Sequence, residues 1–159
     1  MPAHQSDIPA DEDFQLLAHL ESGRAIIGEA QFLPGYSLLL SGVPGVDRLT
    51  DLPRSARVAF LADMEAVGEA VERVCQRDSD FRRINLEIQG NLTPKLHAHI
   101  WPRYEWEPAA VRFHQVARHP KERWHDPATR LGPQHTPLRD ALRAELAIVV
   151  KQNQSMPNG

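Results

Sequence analysis

The sequence predicts an α+β domain in which an antiparallel sheet is backed by helices. Two observations carry this prediction. Short apolar segments typical of strands come in two pairs along the chain, and one long helical pattern separates the pairs. The chain has 159 residues, which suits one domain with a substantial core.

The first third of the chain predicts a short helix followed by a hairpin. Acidic residues at 11–13 favour the N-terminus of a helix, and Gly23 is typical of a residue that ends one. Two strands are expected after it, at 25–32 and 36–41. The residues between these strands include a Pro-Gly pair, which is typical of a turn.

The clearest helical pattern covers about residues 54–76. Its apolar residues recur at spacings of three and four and predict a buried stripe. The stripe consists of Val58, Leu61, Met64, Val67 or Gly68, Val71, Val74 and Cys75. A cysteine in such a stripe is expected to be a buried structural thiol.

The second pair of strands is predicted at 83–88 and 95–101. Prolines divide the region after residue 103 into short pieces, and a closing helix is expected at 138–149. The whole chain is interpreted as a single domain at 11–150 whose core covers 25–105. Mobile tails are expected at 1–10 and 151–159.

Composition excludes several classes of protein. The formal net charge is −3, which argues against generic nucleic-acid binding, and no apolar run reaches the length of a membrane span. The N-terminal residues are polar and acidic, unlike a secretory signal. Cys75 is the only cysteine, so no internal disulfide is expected and a cytoplasmic location is predicted.

The strand predicted at 95–101 carries the most informative residues. Side chains two apart in a strand share one face of the sheet, so His97 and His99 are expected to lie side by side. Lys95 and Trp101 are expected on the same face. The opposite face is apolar, with Leu96, Ala98 and Ile100. The pattern predicts a site on the histidine face.

Two histidines on one face permit more than one kind of chemistry. A neutral imidazole can attack phosphorus and carry a nucleotidyl group, while a second imidazole binds phosphate or moves a proton. A His-x-His pair can also bind a metal, with a third ligand from His114, His119 or His125. A purely structural pair is the remaining alternative.

The segment Leu96-His97-Ala98-His99-Ile100-Trp101-Pro102-Arg103 resembles the signature strand of the histidine triad (HIT) superfamily. The hairpin Phe32-Leu33-Pro34-Gly35-Tyr36-Ser37-Leu38-Leu39-Leu40, the helix entry Leu49-Thr50-Asp51-Leu52 and the Gly90-Asn91 pair resemble other parts of that family in the same order. The resemblance covers about residues 25–105. It implies a HIT-like antiparallel sheet of about five strands, with one long helix and one or two short helices.

The resemblance also implies roles for individual residues. His97 corresponds to the histidine that attacks the α-phosphate, and His99 to the histidine that binds phosphate and assists the leaving group. Ile26, Ile27 and Phe32 are candidates for packing on the base or ribose, with a place in the core as the alternative for each. Contacts with substrate are expected from Asn91, Thr93, Asn85, Gly90, Lys95, Ile27 and Tyr36.

This sequence departs from the family pattern at two positions. Lys95 stands where the family has its first triad histidine, and Tyr36 replaces the histidine of the hairpin. Lys95 is a cation that can attract a polyphosphate. The segment from Arg103 to Arg130 is locally basic and is expected to form either a cationic rim or a solvated loop surface. Trp106 and Trp124 are expected in a lid, a dimer contact or a cover for the sheet edge.

The resulting hypothesis is a nucleotide hydrolase or transferase, similar to the diadenosine polyphosphate hydrolase branch. It would cleave the α-phosphate bond of a dinucleoside polyphosphate or nucleotide conjugate through a nucleotidyl-histidine. A nucleotide-binding module with weak or lost catalysis is the first alternative, and a His-x-His metalloprotein is the second. No cofactor or bound metal is expected, although a divalent cation can accompany a polyphosphate. The expected partners are a nucleotide and a second copy of the chain in a homodimer, with no nucleic acid or membrane.

Overall fold

The computed structural model describes residues 12–156. The described chain forms five strands and four helices, with short 3-10 turns between some of them. The strands are β1 Leu16–His19, β2 Gly23–Ile27, β3 Ser37–Ser41, β4 Phe81–Gln89 and β5 His97–Tyr104. The helices are α1 Glu12–Gln15, α2 Arg54–Cys75, α3 Ala109–Arg112 and α4 Thr136–Ser155.

The strands form one antiparallel sheet in the order β1-β2-β3-β5-β4. This architecture confirms the predicted α+β fold. Because β5 lies between β3 and β4, both of its edges are paired. The register places Leu38 on one side of His99 and Glu87 on the other.

The main core lies between the sheet and the pair α2 and α4, which pack on the same face of the sheet. β5 contributes its apolar face to this core. The fully buried residues there include Leu96, Ala98, Ile100, Phe60, Val67 and Leu146. The prediction that the residues alternating with the histidines would be core is confirmed.

The opposite face of the sheet carries a second apolar cluster. It consists mainly of aromatic and aliphatic side chains from β2, β3 and β5 and from the loops beside them. The segment at 105–131 folds over one end of this face, where Val116 and Trp124 pack on the cluster. The remainder of the face, around the two histidines, is not part of the main core.

Several predicted boundaries were wrong. The N-terminal helix ends at Gln15, and the residues that were expected to continue it form β1. β2 ends at Ile27, and 28–36 is a loop whose two ends are joined by a hydrogen bond from the Gly28 amide to the Tyr36 carbonyl. α4 continues to Ser155, into the predicted mobile tail. The N-terminal tail at 1–10 and residues 157–159 lie outside the described residues.

The stripe on α2 is only partly buried. Cys75 is buried, as predicted, and its thiol donates a hydrogen bond to the carbonyl of Pro34. Burial raises the pKa of this thiol to about 11, which suits a structural cysteine. Val58 and Leu61 are exposed, at 54% and 39%, because they lie off the face of α2 that buries Val67.

None of the helices within residues 12–156 combines the length and the apolarity that a membrane span requires.

Candidate functional site

His97, His99 and Trp101 share the sheet face opposite the helices. Trp101 belongs to the second apolar cluster, whereas Ala98 and Ile100 belong to the main core, so the two faces of β5 differ in character. The imidazole rings of His97 and His99 are neighbours, with centroids 4.8 Å apart. The predicted same-face pair is therefore present.

His97 is held in one orientation by its own strand. Its Nδ1 atom lies 2.5 Å from the carbonyl oxygen of Lys95, and the side chain is only 6% exposed. A carbonyl oxygen can only accept a hydrogen bond, so Nδ1 carries the hydrogen. In the neutral ring, Nε2 then has the free lone pair, as a nucleophile toward phosphorus requires.

His99 is held by a residue of the neighbouring hairpin. Its Nδ1 lies 2.7 Å from the hydroxyl of Tyr36. Burial, together with the neighbouring His97, lowers the pKa of His99 to about 3, so the ring is neutral at physiological pH. The phenol is the stronger acid of the two groups and donates to Nδ1, which leaves the ring hydrogen on Nε2. His99 is thus set up as a hydrogen-bond donor through Nε2.

Stacked aromatic rings support His99 from one end of the site. The rings of Tyr36 and Trp101 are nearly parallel with centroids 3.5 Å apart, and His99 lies nearly parallel to both. Gly28 makes room for this stack, because the ring of Tyr36 occupies the space that a β-carbon at position 28 would need. Tyr36 was predicted to contact substrate; it is 3% exposed and contacts His99.

A cluster of aromatic residues anchors the other side of Trp101. Phe32 packs on Trp101 and, edge-on, on Trp124 at a centroid distance of 4.8 Å. Trp106 and Trp124 were predicted to lie in a lid, a dimer contact or a cover for the sheet edge. Trp124 lies over the end of the histidine face that carries Trp101. Trp106 instead stacks on Tyr104 and is 43% exposed.

β4 adds a row of polar residues to the histidine face that sequence reasoning had only partly identified. Glu87 lies directly across from His99, and Gln89 lies across from His97. The Gln89 amide donates a hydrogen bond of 2.9 Å to the Glu87 carboxylate. Burial raises the pKa of Glu87, while the positive charge of Arg103 and the bond from Gln89 oppose this shift.

The predicted phosphate loop joins β4 to β5 at the His97 end of the hairpin. It includes Gly90 and Asn91, which are exposed, and Thr93, which is half-buried. Lys95 was expected to lie in the strand with its side chain beside His97. The strand begins two residues later, at His97, and Lys95 is exposed and lines a different groove with Arg24 and His19.

Two further residues that were predicted to contact substrate, Ile27 and Asn85, have other contacts in the structure. Ile27 is fully buried in the core on the helix side of the sheet, because it alternates with Ile26, which is on the histidine face. Asn85 is on the histidine face, across from Trp101, and its Oδ1 accepts a hydrogen bond of 2.9 Å from Arg103. Ile27 therefore does not line the site, and Asn85 orients Arg103.

Arg103 is the centre of a buried charged cluster below the site. Its guanidinium binds the Glu107 carboxylate at 2.8 Å and also donates to the carbonyls of Val111 and His114. Glu107 is bound in addition by His119 Nε2 at 2.8 Å and by the Tyr104 amide at 2.7 Å. These contacts fasten the covering segment at 105–131 to the end of β5.

The same cluster bears on the metal alternative. His119, one of the three histidines considered as a third ligand, is 4% exposed and bonded to Glu107. Within residues 12–156, no group of three or more His, Cys, Asp or Glu side chains is arranged to hold a metal ion. The structure does not bring a third ligand of this kind to His97 and His99.

Comparison with known proteins identifies the fold. No family model matches the sequence, and no curated protein matches it. Among solved structures, a histidine triad protein from Marinobacter aquaeolei VT8 is 20% identical with a TM-score of 0.62, and the match covers 86% of this chain and 88% of that chain. A histidine triad protein from Bradyrhizobium japonicum is 19% identical with a TM-score of 0.66, over 82% and 89% of the two chains.

A hypothetical histidine triad nucleotide-binding protein from Sulfolobus tokodaii strain7 is 15% identical, with a TM-score of 0.59 over 91% of both chains. At these identities the likeness establishes a shared fold. The chain therefore has the fold of histidine triad proteins, as the signature strand had suggested.

Proposed function

We propose that the protein cleaves the α-phosphate bond of a nucleotide conjugate through a nucleotidyl-histidine intermediate on His97. The observation that carries the proposal is the hydrogen bond from His97 Nδ1 to the Lys95 carbonyl, which leaves Nε2 as the nucleophilic atom. A dinucleoside polyphosphate or an adenosine phosphoramidate is the proposed class of substrate. The fold, which is shared with histidine triad proteins, supports the same conclusion.

The reaction proceeds in two displacements. His97 Nε2 attacks the α-phosphorus, the bond to the leaving group breaks, and the nucleotide becomes attached to the ring. Water then displaces the imidazole and releases the nucleoside monophosphate. His99 donates from Nε2 to a nonbridging oxygen, and the amides of the loop with Gly90 and Asn91 bind the charge that develops on the others. The covalent step in this proposal uses no metal, although a divalent cation can accompany a polyphosphate substrate.

Binding without turnover is the second candidate function. The low pKa of His99 favours it, since a ring that stays neutral at physiological pH is a poor proton donor to a leaving group. In that case the site would bind a nucleotide as tightly as an enzyme of this fold but would release no product.

One experiment separates the candidates. The purified protein is incubated with diadenosine tetraphosphate and with an adenosine phosphoramidate, with and without a chelator, and is then quenched in acid for mass spectrometry. Nucleotide release that survives chelation, with a nucleotidyl adduct on the peptide that contains His97, supports the enzyme. Binding without release supports the binding module, and activity abolished by the chelator supports a metal at His97 and His99.

Tyr36→Phe is expected to lower kcat about tenfold and to leave KM nearly unchanged. The change removes the hydroxyl that fixes the His99 ring, and such a hydrogen bond contributes about 0.5–1.5 kcal/mol, the upper end of which is about tenfold in rate. Nitrogen NMR of the histidine rings is expected to show His99 with its hydrogen on Nε2 in the wild type and mixed forms in the variant. Steady-state kinetics provides the rates.

Tyr104→Phe is the matched control. Tyr104 is also buried, but its hydroxyl donates to the carbonyl of Pro34 and does not reach His99. An equal loss of kcat in both variants, or an unchanged His99 signal in Tyr36→Phe, would contradict the positioning role of Tyr36.

The second part of the proposal is a homodimer formed through β4. This strand is at the edge of the sheet, so one row of its backbone groups is unpaired within the described chain. Leu86 and Ile88 on β4 are 44% and 38% exposed, and Leu86 lies against Gly68 of α2, on the same helix face as Leu61 and Val58. A twofold axis beside β4 would pair the β4 strands of two copies and bury these apolar residues of β4 and α2 in both copies.

Leu61→Glu is expected to convert the dimer to a monomer, because the variant places a charge in the proposed apolar contact. Light scattering during size-exclusion chromatography measures the mass. Ile148→Glu is the control, since Ile148 is an apolar residue of α4 with a similar exposure of 47%. A wild-type monomer, or a dimer that survives Leu61→Glu, would refute this interface.

A further inference from the structure

Glu87 is the one carboxylate that β4 places beside the two histidines. It lies directly across from His99 in the antiparallel pair, where β-carbons of opposite residues are about 4.5–5.5 Å apart. It is half-buried, and Gln89 holds one of its oxygens.

The two-displacement reaction needs a proton donor when the leaving group is an amine or an alkoxide, as in a phosphoramidate or an alkyl ester. The leaving group carries away the electrons of the bond to phosphorus and must gain a proton unless it is stable as an anion. His97 has its only ring hydrogen on Nδ1, which donates to the Lys95 carbonyl. The hydrogen of His99 is on Nε2, where the proposed mechanism uses it to bind a nonbridging phosphate oxygen. Neither ring is arranged to protonate the leaving group.

We infer that Glu87 is the general acid and base of the site, an inference that rests on the proposed nucleotidyl transfer. In the first step, the protonated carboxyl gives its proton to the leaving atom as the bond from phosphorus to that atom breaks and the bond from His97 Nε2 forms. In the second step, the carboxylate takes a proton from water as the bond from oxygen to phosphorus forms. The electrons of the phosphorus–nitrogen bond return to Nε2, and the site is restored.

The surroundings of Glu87 suit this cycle. The charged and titratable groups on this face are His97, His99 and Arg103 on β5, Arg83 on β4 itself, and the Tyr36 hydroxyl, which bonds to His99. The neighbouring residues of β3 on this face are Leu38 and Leu40. Burial raises the pKa of Glu87 and favours the protonated form, while Arg103 keeps the ionised form accessible.

Leaving-group dependence tests the inference. Two adenosine 5′-phosphate esters are compared, one of an aliphatic alcohol and one of 4-nitrophenol, which leaves as a stable anion. Glu87→Gln keeps the shape and the hydrogen-bonding oxygen but cannot transfer a proton. We expect it to lower the rate of nucleotidyl transfer from the aliphatic ester by about 10²–10⁴-fold, and from the nitrophenyl ester by less than about tenfold.

The pH profile gives an independent readout. Wild-type kcat/KM for the aliphatic ester is expected to fall as pH rises and Glu87 loses its proton, and this limb is expected to vanish in Glu87→Gln. Glu122→Gln, a change at an exposed carboxylate of the covering segment, is the control for charge. Thermal unfolding confirms that each variant is folded.

The outcomes distinguish this inference from the proposed function. Equal losses on both esters in Glu87→Gln, or a pH limb that persists in it, would overturn the role of Glu87 and leave the nucleophile His97 in place. A wild type that releases nucleotide from neither ester, and from neither diadenosine tetraphosphate nor the adenosine phosphoramidate, would overturn the proposed function and the role of Glu87 together.

Discussion

His97→Ala is expected to lower kcat/KM for nucleotide release by about 10⁴-fold or more. The variant removes the only atom that the proposal uses to form a bond to phosphorus, and loss of a nucleophile has an effect of this order or larger. The measurement is release of nucleotide from diadenosine tetraphosphate and from an adenosine phosphoramidate. No covalent adduct is expected in the variant after acid quench.

A histidine substitution outside the site shows whether the loss of activity is specific to His97. His125 is exposed in the covering segment, and His125→Ala is expected to retain wild-type activity. Circular dichroism and thermal unfolding establish whether His97→Ala, which truncates a nearly buried ring, is folded. A folded His97→Ala protein that still releases nucleotide would contradict the covalent mechanism.

The part of the site on β5 could be predicted because a strand has a fixed period of two. That period alone separates His97 and His99 from Ala98 and Ile100, whatever the neighbouring elements are. The loop with Gly90 and Asn91 was placed correctly at the His97 end because a short hairpin leaves few alternatives. Local geometry determines both results.

The errors lie where the outcome depends on which element covers a residue. Ile26 and Ile27 are chemically alike, and only the register of β2 decides that Ile26 faces the histidines while Ile27 faces the helices. Val58 and Leu61 fit a buried stripe by spacings of three and four, but such spacings drift around the helix, and Val58 lies on the opposite side of α2 from the buried Val67. A spacing pattern followed over several turns therefore indicates a wider face than the one that is buried.

Glu87 could have been found from the sequence. In β4 the polar residues Asn85, Glu87 and Gln89 alternate with Ile84, Leu86 and Ile88, which is the same period of two that revealed the histidines. Pairing this polar row with the histidine face requires only that the two strands form a hairpin. The cluster of Arg103, Glu107 and His119 gave no such signal, because its contacts depend on how an irregular segment folds back on β5.

Glu107→Gln is expected to destabilise the protein by about 3–5 kcal/mol. The Glu107 side chain is fully buried and that of Arg103 is 4% exposed, so the variant leaves a cation without its counter-charge in the protein interior. Removing one partner of a buried ion pair has an effect of this size. Chemical denaturation followed by tryptophan fluorescence measures the free energy of unfolding.

The control is an exposed ion pair that involves the same covering segment. Glu29 binds Arg130, whose side chain is 67% exposed, and Glu29→Gln is expected to change the free energy of unfolding by at most about 1 kcal/mol. Similar losses of unfolding free energy in Glu107→Gln and Glu29→Gln would mean that burial of the Arg103–Glu107 pair does not increase its contribution to stability.

Acid provides a second test of the same ion pair. Despite its burial, hydrogen bonds from His119, Arg103 and the Tyr104 amide lower the pKa of Glu107 from 4.5 to about 2. A lowered pKa in the folded state contributes stability that is fully present above about pH 4.5 and is lost as pH falls toward 2. At about 1.4 kcal/mol per pKa unit the contribution is about 3 kcal/mol, in line with the expected loss in Glu107→Gln. The variant is expected to lose less stability than the wild type across this range.

The effect of Glu107→Gln should also reach the histidines. The covering segment that Glu107 fastens carries Trp124, which packs on Phe32 and Trp101, and Trp101 stacks on Tyr36, the partner of His99. When this segment unfolds locally, the His99 ring loses the aromatic packing that supports it. Hydrogen exchange is therefore expected to quicken at 105–131 and at the β3 residues beside Tyr36, and to remain slow in α2. Faster exchange confined to 105–131, with the His99 ring unchanged by NMR, would show that the segment stabilises the fold without positioning the site.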